Sequence, residues 1–150
     1  MSATIEKGST VLVTGVNGFS IASHVADQLL LAGYKVRGTV QSLSKADYLY
    51  KIFDPKFGEG KFEAATVPDM VADGAFDDAV PGVSGIVHLA SVVTFSDKFE
   101  EVVPPTVKGA LNALTSASKE FGVKSVVYTS SSTAALTPEP NKKIIITADS

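Results

Sequence analysis

Thr10-Val-Leu-Val-Thr-Gly15-Val-Asn-Gly18-Phe19 begins with a short apolar run rich in β-branched residues and breaks into a turn carrying two glycines. The run reads as a buried strand over residues 10–14, and the turn holds Gly15, Asn17 and Gly18. Directly after it, Ile21, Ala22, Val25, Ala26, Leu29 and Leu30 recur at helical spacing through residue 31, and Gly33 stands where a helix C-cap residue would. A buried strand, a glycine turn and an amphipathic helix in that order make an anion site. Glycines leave no Cβ in the way of a phosphate, backbone N–H groups point at it, and the helix N-terminus adds a favourable dipole. The segment therefore reads as the phosphate-binding turn of a dinucleotide-binding unit.

Working outward, the same alternation continues. Residues 34–40 read as a second strand, 45–53 as a second helix closed by Asp54-Pro55, and 61–67 as a third strand. A short helix is expected over 74–80, ended by Pro81-Gly82. Gly85-Ile-Val-His-Leu-Ala90 is an unbroken apolar run that suits a strand covered on both faces. Pro104-Pro105 then reads as the start of the clearest helix, with Val107, Ala110, Leu111, Leu114, Ala117 and Phe121 as its buried face and Gly122 as its cap. Residues 123–128 form a fifth strand, followed by Thr129-Ser130-Ser131-Ser132. Strands alternating with helices predict an α/β fold, a Rossmann-type doubly wound parallel sheet of about five strands.

Composition narrows the function classes. Hydrophobic residues at 45% and charged residues at 19% exclude a disordered chain, and 150 residues suffice for one domain with a real core. A formal net charge of -3 with no Lys/Arg cluster argues against nucleic acid as a partner. The absence of cysteine excludes disulfides and thiolate metal sites, and no metal is expected. No apolar run approaches a membrane span and no basic-then-apolar leader is present, so the expectation is a cytoplasmic protein without membrane partners.

Three motifs in order, Thr14-Gly-x-x-Gly18-Phe, His88-Leu-Ala-Ser91 and Tyr128-Thr-Ser-Ser-Ser132, resemble the extended short-chain dehydrogenase/reductase family. Asp27-Gln-Leu-Leu-Leu-Ala-Gly-Tyr-Lys-Val-Arg-Gly-Thr-Val40 and Val107-Lys-Gly-Ala-Leu-Asn-Ala-Leu114 are similar to its fungal NADPH-dependent aldehyde and ketone reductases, relatives of dihydroflavonol reductases. The resemblance implies that Gly15, Gly18 and Phe19 line a pyrophosphate site and that Asp69 approaches the adenine. It implies that Ala90 and Ser91 pass beneath the riboses, and that Ser131 is the catalytic serine bonding a substrate carbonyl. From the residues alone, Asp69 reads equally as a helix N-cap, His88 as a satisfied core histidine, and Ser130 and Ser132 as turn residues.

Cofactor choice follows from an absence. NAD sites place a carboxylate about 20 residues beyond the glycines to hold the ribose 2′-hydroxyl. Residues 37–46 contain no acid, and Arg37, Gln41, Ser42 and Lys45 would attract a 2′-phosphate instead. Arg37 and Lys45 are thus candidate cofactor contacts, and the expected cofactor is NADP (NADPH). Three departures from the family pattern are visible. Gln41 stands where the family carries arginine. Ile21 stands where the family has a small residue, with Ala22 one place later, as if Ser20 were inserted. None of Tyr34, Tyr48, Tyr50 and Tyr128 has lysine four residues on, so the catalytic Tyr-x-x-x-Lys pair is absent and turnover by the chain alone is not expected.

Residues 1–150 accordingly read as the dinucleotide-binding domain of a truncated enzyme, lacking the substrate-binding region. The expected reaction is hydride transfer between NADPH and a small-molecule carbonyl. A cofactor-binding module without chemistry, and a nucleotide-sugar epimerase or dehydratase of the same superfamily, are the alternatives.

Overall fold

A computed structural model describes residues 5–18, 21–94, 96–134, 139 and 141–147. Five strands, β1 (Thr10–Val13), β2 (Lys35–Val40), β3 (Phe62–Thr66), β4 (Gly85–His88) and β5 (Ser125–Tyr128), form one sheet in the order β3-β2-β1-β4-β5. Every pairing is parallel: Leu12 sits opposite Arg37 on one side and Ile86 on the other, and His88 opposite Tyr128. The order reverses at β1, so the crevice at the carboxyl ends of β1 and β4 is the topological switch point where ligands bind in such sheets.

Two helices, α1 (Ala22–Leu31) and α2 (Asp47–Phe57), cover one face, and α3 (Phe99–Lys119) lies on the other. β1 explains its own apolar run. Val13 points into a cluster with Ala22, Ala26, Leu30, Val36, Leu49, Phe53 and Phe62, whereas Leu12 points the other way, to Phe76, Val80, Val83, Ile86 and Ala113. A strand buried on both faces needs apolar residues at consecutive positions.

The departure at the first helix resolves in one direction. α1 begins at Ala22, which is buried against Val13, while Ile21 is 56% exposed. Ala22 therefore takes the close-packing role, and the helix is not pushed off the sheet.

Several expected boundaries are corrected. α2 runs through Pro55 to Phe57, preceded by a 3-10 turn over Leu43–Ala46. α3 starts at Phe99, more than a turn before Pro104-Pro105. Its opening is held by Ser96, whose hydroxyl donates to Glu101 at 2.6 Å and accepts from the Lys98 amide at 3.2 Å, so the prolines fall inside the helix. Residues 74–79 form successive turns rather than a helix, entered through Gly74 at φ +70°.

Of the expected buried face of α3, Ala117 is buried but the large apolar residues are not. Gly109, Ala113, Ser116 and Ala117 are its buried residues, Ala113 and Ala117 against the sheet, while Val107, Leu111, Leu114 and Phe121 lie exposed. Gly122 does not cap the helix, which ends at Lys119 with Glu120 following in extended conformation. Among the described residues no helix is long and apolar enough to cross a membrane.

Candidate functional site

The glycine turn leaves β1 at the switch point and is shaped by Ala90. Gly15 has φ +64°, a conformation L side chains resist, and a Cβ there would stand 3.3 Å from both Cα and Cβ of Ala90. A Cβ on Gly18 would meet the Gly15 carbonyl oxygen at 3.1 Å. Both positions need glycine for room.

The amides of this turn do not behave as the sequence suggests. Gly15 donates to Thr39 Oγ1 at 3.0 Å, Val16 to the Thr39 carbonyl at 3.0 Å, and Gly18 to the Gly15 carbonyl at 2.8 Å. The Gly15 and Val16 N–H groups hold the turn onto β2 and that of Gly18 closes the turn on itself, so all three are engaged within the protein. The donors suited to an anion are those of the first turn of α1, which has no side-chain cap and no acidic residue. The glycines supply space and the helix supplies amides. Phe19 lies outside the described residues.

Beneath the turn, Thr14 ties β1 to β4. Its buried Oγ1 accepts from the amides of Leu89 and Ala90, both at 2.9 Å, and lies 3.1 Å from Nδ1 of His88. With both lone pairs engaged, the hydroxyl hydrogen is directed at Nδ1, which assigns His88 the neutral tautomer protonated on Nε2. The imidazole stacks on Tyr128 with centroids 5.7 Å apart and meets Phe76 edge-on at 5.9 Å. Burial pushes the His88 pKa below its usual value, keeping the ring neutral in the core. The motif residue His88 thus orients the Thr14 hydroxyl that holds the amides of Leu89 and Ala90.

Two cavities open along the strand ends. One, of about 460 Å³, is bordered by Gly15, Asn17, Gly18, Gln41, Asp69 and Ala90 among others. The second, of about 780 Å³, is bordered by Ile21, Ser91, Thr106, Tyr128, Ser130 and Ser131 among others. They share Gly15, Gly18, Leu89, Ser91, Val92 and Val93, so they form one cleft crossing the switch point. The fold therefore brings Gly15, Asn17, Gly18, Asp69, Ala90, Ser91 and Ser131 to a single groove, although Gly15 and Ser131 are far apart in sequence.

Two expected contacts fare differently. Arg37 is not on the cleft: its guanidinium bonds Glu63 at 2.6 Å and the carbonyls of Ala79 and Pro81 at 2.9 and 2.6 Å. Its role is to tie β2 to β3 and to the turn before β4, and it leaves the set of cofactor contacts. Lys45 is exposed beside the cleft and bonds the side-chain oxygen of Gln41, which lies on the cleft wall. Asp69 is not the helix N-cap that one of its readings made it. It borders the cleft, and its Oδ1 accepts from the Val71 amide at 2.8 Å, capping a turn rather than a helix.

Sequence reasoning missed Thr39, Thr14 as a buried acceptor, and Gly38. A Cβ on Gly38 would stand 2.4 Å from Val16 Cγ1, so this strand glycine lets the turn settle on β2. A glycine inside an otherwise β-branched strand was the available signal.

The model of the NAD dependent epimerase/dehydratase family matches residues 11–147. Aldehyde reductase 2 of Sporidiobolus salmonicolor is 52% identical over 140 residues, covering 93% of this chain and 40% of its own length. The NAD-dependent epimerase/dehydratase terH of Aspergillus terreus is 40% identical over 148 residues, covering 99% of this chain and 43% of its own. Among solved structures, the yeast methylglyoxal/isovaleraldehyde reductase Gre2 complexed with NADPH superposes with a TM-score of 0.75 at 34% identity, covering 85% of this chain and 38% of that one. The chain thus spans about two fifths of the length of the curated relatives it matches.

Proposed function

The chain belongs to the NAD dependent epimerase/dehydratase family, and on that footing we propose that it is the dinucleotide-binding part of an NADPH-dependent aldehyde or ketone reductase. One observation carries the reading: a single cleft runs over the carboxyl ends of the strands, from Asp69 at one end, past the glycine turn and Ser91, to Ser131 at the other. A dinucleotide laid across the switch point has this extended shape. The likeness to an aldehyde reductase and to a reductase solved with NADPH supports the same assignment.

The residues present fit such a cofactor. Gly15 and Gly18 keep the floor of the cleft clear where a Cβ would fill it, and the uncapped first turn of α1 offers amides to the pyrophosphate. Asp69 would accept from the adenine amino group, and Ala90 and Ser91 would underlie the riboses. Gln41 and Lys45 sit at the end of β2 with no carboxylate on residues 37–46, which favours a 2′-phosphate over a bare hydroxyl. When bound, NADPH supplies the hydride that a carbonyl substrate receives. Ser131, on the wall of the second cavity, would donate a hydrogen bond to that carbonyl oxygen.

On this reading residues 1–150 bind cofactor without turnover. The proton-delivering Tyr-x-x-x-Lys pair is not among them. Titrating the 150-residue chain with NADPH and NADH, followed by nicotinamide fluorescence, tests it. Saturable NADPH binding tighter than NADH, with no consumption of NADPH when a simple aldehyde is added, is the expected result. No saturable signal at millimolar NADPH would refute the cofactor site, and tighter NADH binding would overturn the 2′-phosphate assignment.

A further inference from the structure

The segment after β3 forms one wall of the cleft, with Val67, Pro68, Asp69, Met70 and Val71 bordering it. Val67 N–H still bonds the Val40 carbonyl of β2 at 2.8 Å, but beyond it the segment has no sheet partner and no helical ladder; it is a chain of turns, with Ala72 N–H on the Asp69 carbonyl and Ala75 N–H on that of Ala72. Such a segment does not hold its own shape, because its carbonyls lack the repeating partners of a helix or strand. Its shape comes from α3. The side-chain amide of Asn112 donates one hydrogen to the Met70 carbonyl at 2.9 Å and the other to the Ala72 carbonyl at 2.7 Å.

One turn earlier on α3, Gly109 makes room for the same segment. Its φ is not left-handed, and glycine inside a helix costs about 1 kcal/mol relative to alanine, so its backbone freedom does not explain it. A Cβ there would stand 3.1–3.2 Å from Sδ, Cε and Cγ of Met70, which is seated against the helix backbone. One turn later, Ser116 and Lys119 bond the carboxylate of Asp77 at 2.7 and 2.8 Å. Residues 109, 112, 116 and 119 share one face of the helix by their spacing. That face is therefore built around the loop of residues 70–77, in addition to packing Ala113 and Ala117 against the sheet.

We propose that Asn112 and Gly109 are positioning residues for the adenine-side wall of the cleft, fixing Asp69–Val71 without touching the cofactor. The inference rests on the dinucleotide reading above. It predicts that perturbing Asn112 weakens ligands carrying the adenosine half and spares those carrying only the nicotinamide half. Asn112→Asp is the sharpest change: it keeps the shape but sets a carboxylate against two carbonyls, where two donors stood. Asn112→Ala removes the bonds without repulsion. Gly109→Ala raises helix propensity while crowding Met70, and circular dichroism separates a loss of binding there from a loss of folding.

The probes are 2′,5′-ADP and reduced nicotinamide mononucleotide, titrated calorimetrically into the 150-residue chain and each variant, with far-UV circular dichroism to follow folding. Supporting results are a tenfold or greater loss of 2′,5′-ADP affinity in Asn112→Asp, a smaller loss in Asn112→Ala and Gly109→Ala, and unchanged affinity for the mononucleotide. Equal 2′,5′-ADP affinity in all four proteins would overturn the positioning role while leaving the cofactor site standing. Parallel loss of both probes would reduce Asn112 to a general structural residue and equally overturn it. Failure of the unaltered chain to bind 2′,5′-ADP would sink the underlying cofactor assignment, and this inference with it.

Discussion

Replacing Thr14 with valine preserves shape and removes one oxygen that closes three contacts: two amide donors at 2.9 Å and the Nδ1 of His88 at 3.1 Å. A buried donor or acceptor left without a partner costs about 1–3 kcal/mol. Three such groups set an upper limit, but Leu89 and Ala90 are only half-buried at the floor of an open cleft, where water can reach part of what is lost. The expected destabilisation is therefore about 2–4 kcal/mol, a 30- to 1000-fold change in the folding equilibrium. Thr14→Ser is the control. It keeps the hydroxyl and loses one methyl, for about 1 kcal/mol. Urea unfolding followed by far-UV circular dichroism reads both. The reasoning fails if Thr14→Val lies within about 0.5 kcal/mol of the unaltered chain, the range of an ordinary surface substitution, or if Thr14→Ser proves the more damaging.

Two further expectations follow from the same geometry. His88 has a folded pKa below its ordinary value of 6.5, so the unfolded chain takes up its proton first; stability should be constant above 6.5 from this source and fall as pH drops below it. Urea midpoints between pH 7.5 and 5.5 should show that decline, and an undiminished decline in His88→Phe would assign it to other groups. Gln41→Asp places a carboxylate where the 2′-phosphate is expected, and should lower NADPH affinity about tenfold or more while sparing NADH. Equal loss for both cofactors, measured by the same fluorescence titration, would remove Gln41 from the selectivity argument.

The strand–turn–helix around Gly15 and Gly18 and the βα alternation were legible because they are local. A run of apolar residues, a glycine pair and a 3.6-residue period each report the chain's immediate geometry, and the parallel sheet follows from their order. The serine-rich end of β5 and the acidless end of β2 could likewise be named from their neighbours along the chain. Periodicity states that a helix has an apolar stripe but not what covers it. On α3 the stripe of Val107, Leu111 and Leu114 is exposed, while small and polar residues face inward to hold a loop some forty positions away. The same limit applies to donors. Gly15 has an amide in any sequence, yet its bond to Thr39 exists only because β2 lies beside β1, and Arg37 is diverted to Ala79 and Pro81 by the same kind of long-range approach. Hydrogen bonds between residues far apart in the chain are assigned by folding. They decide which groups shape the cleft and which stand open to a ligand, since a polar group engaged inside the protein is no longer available outside it.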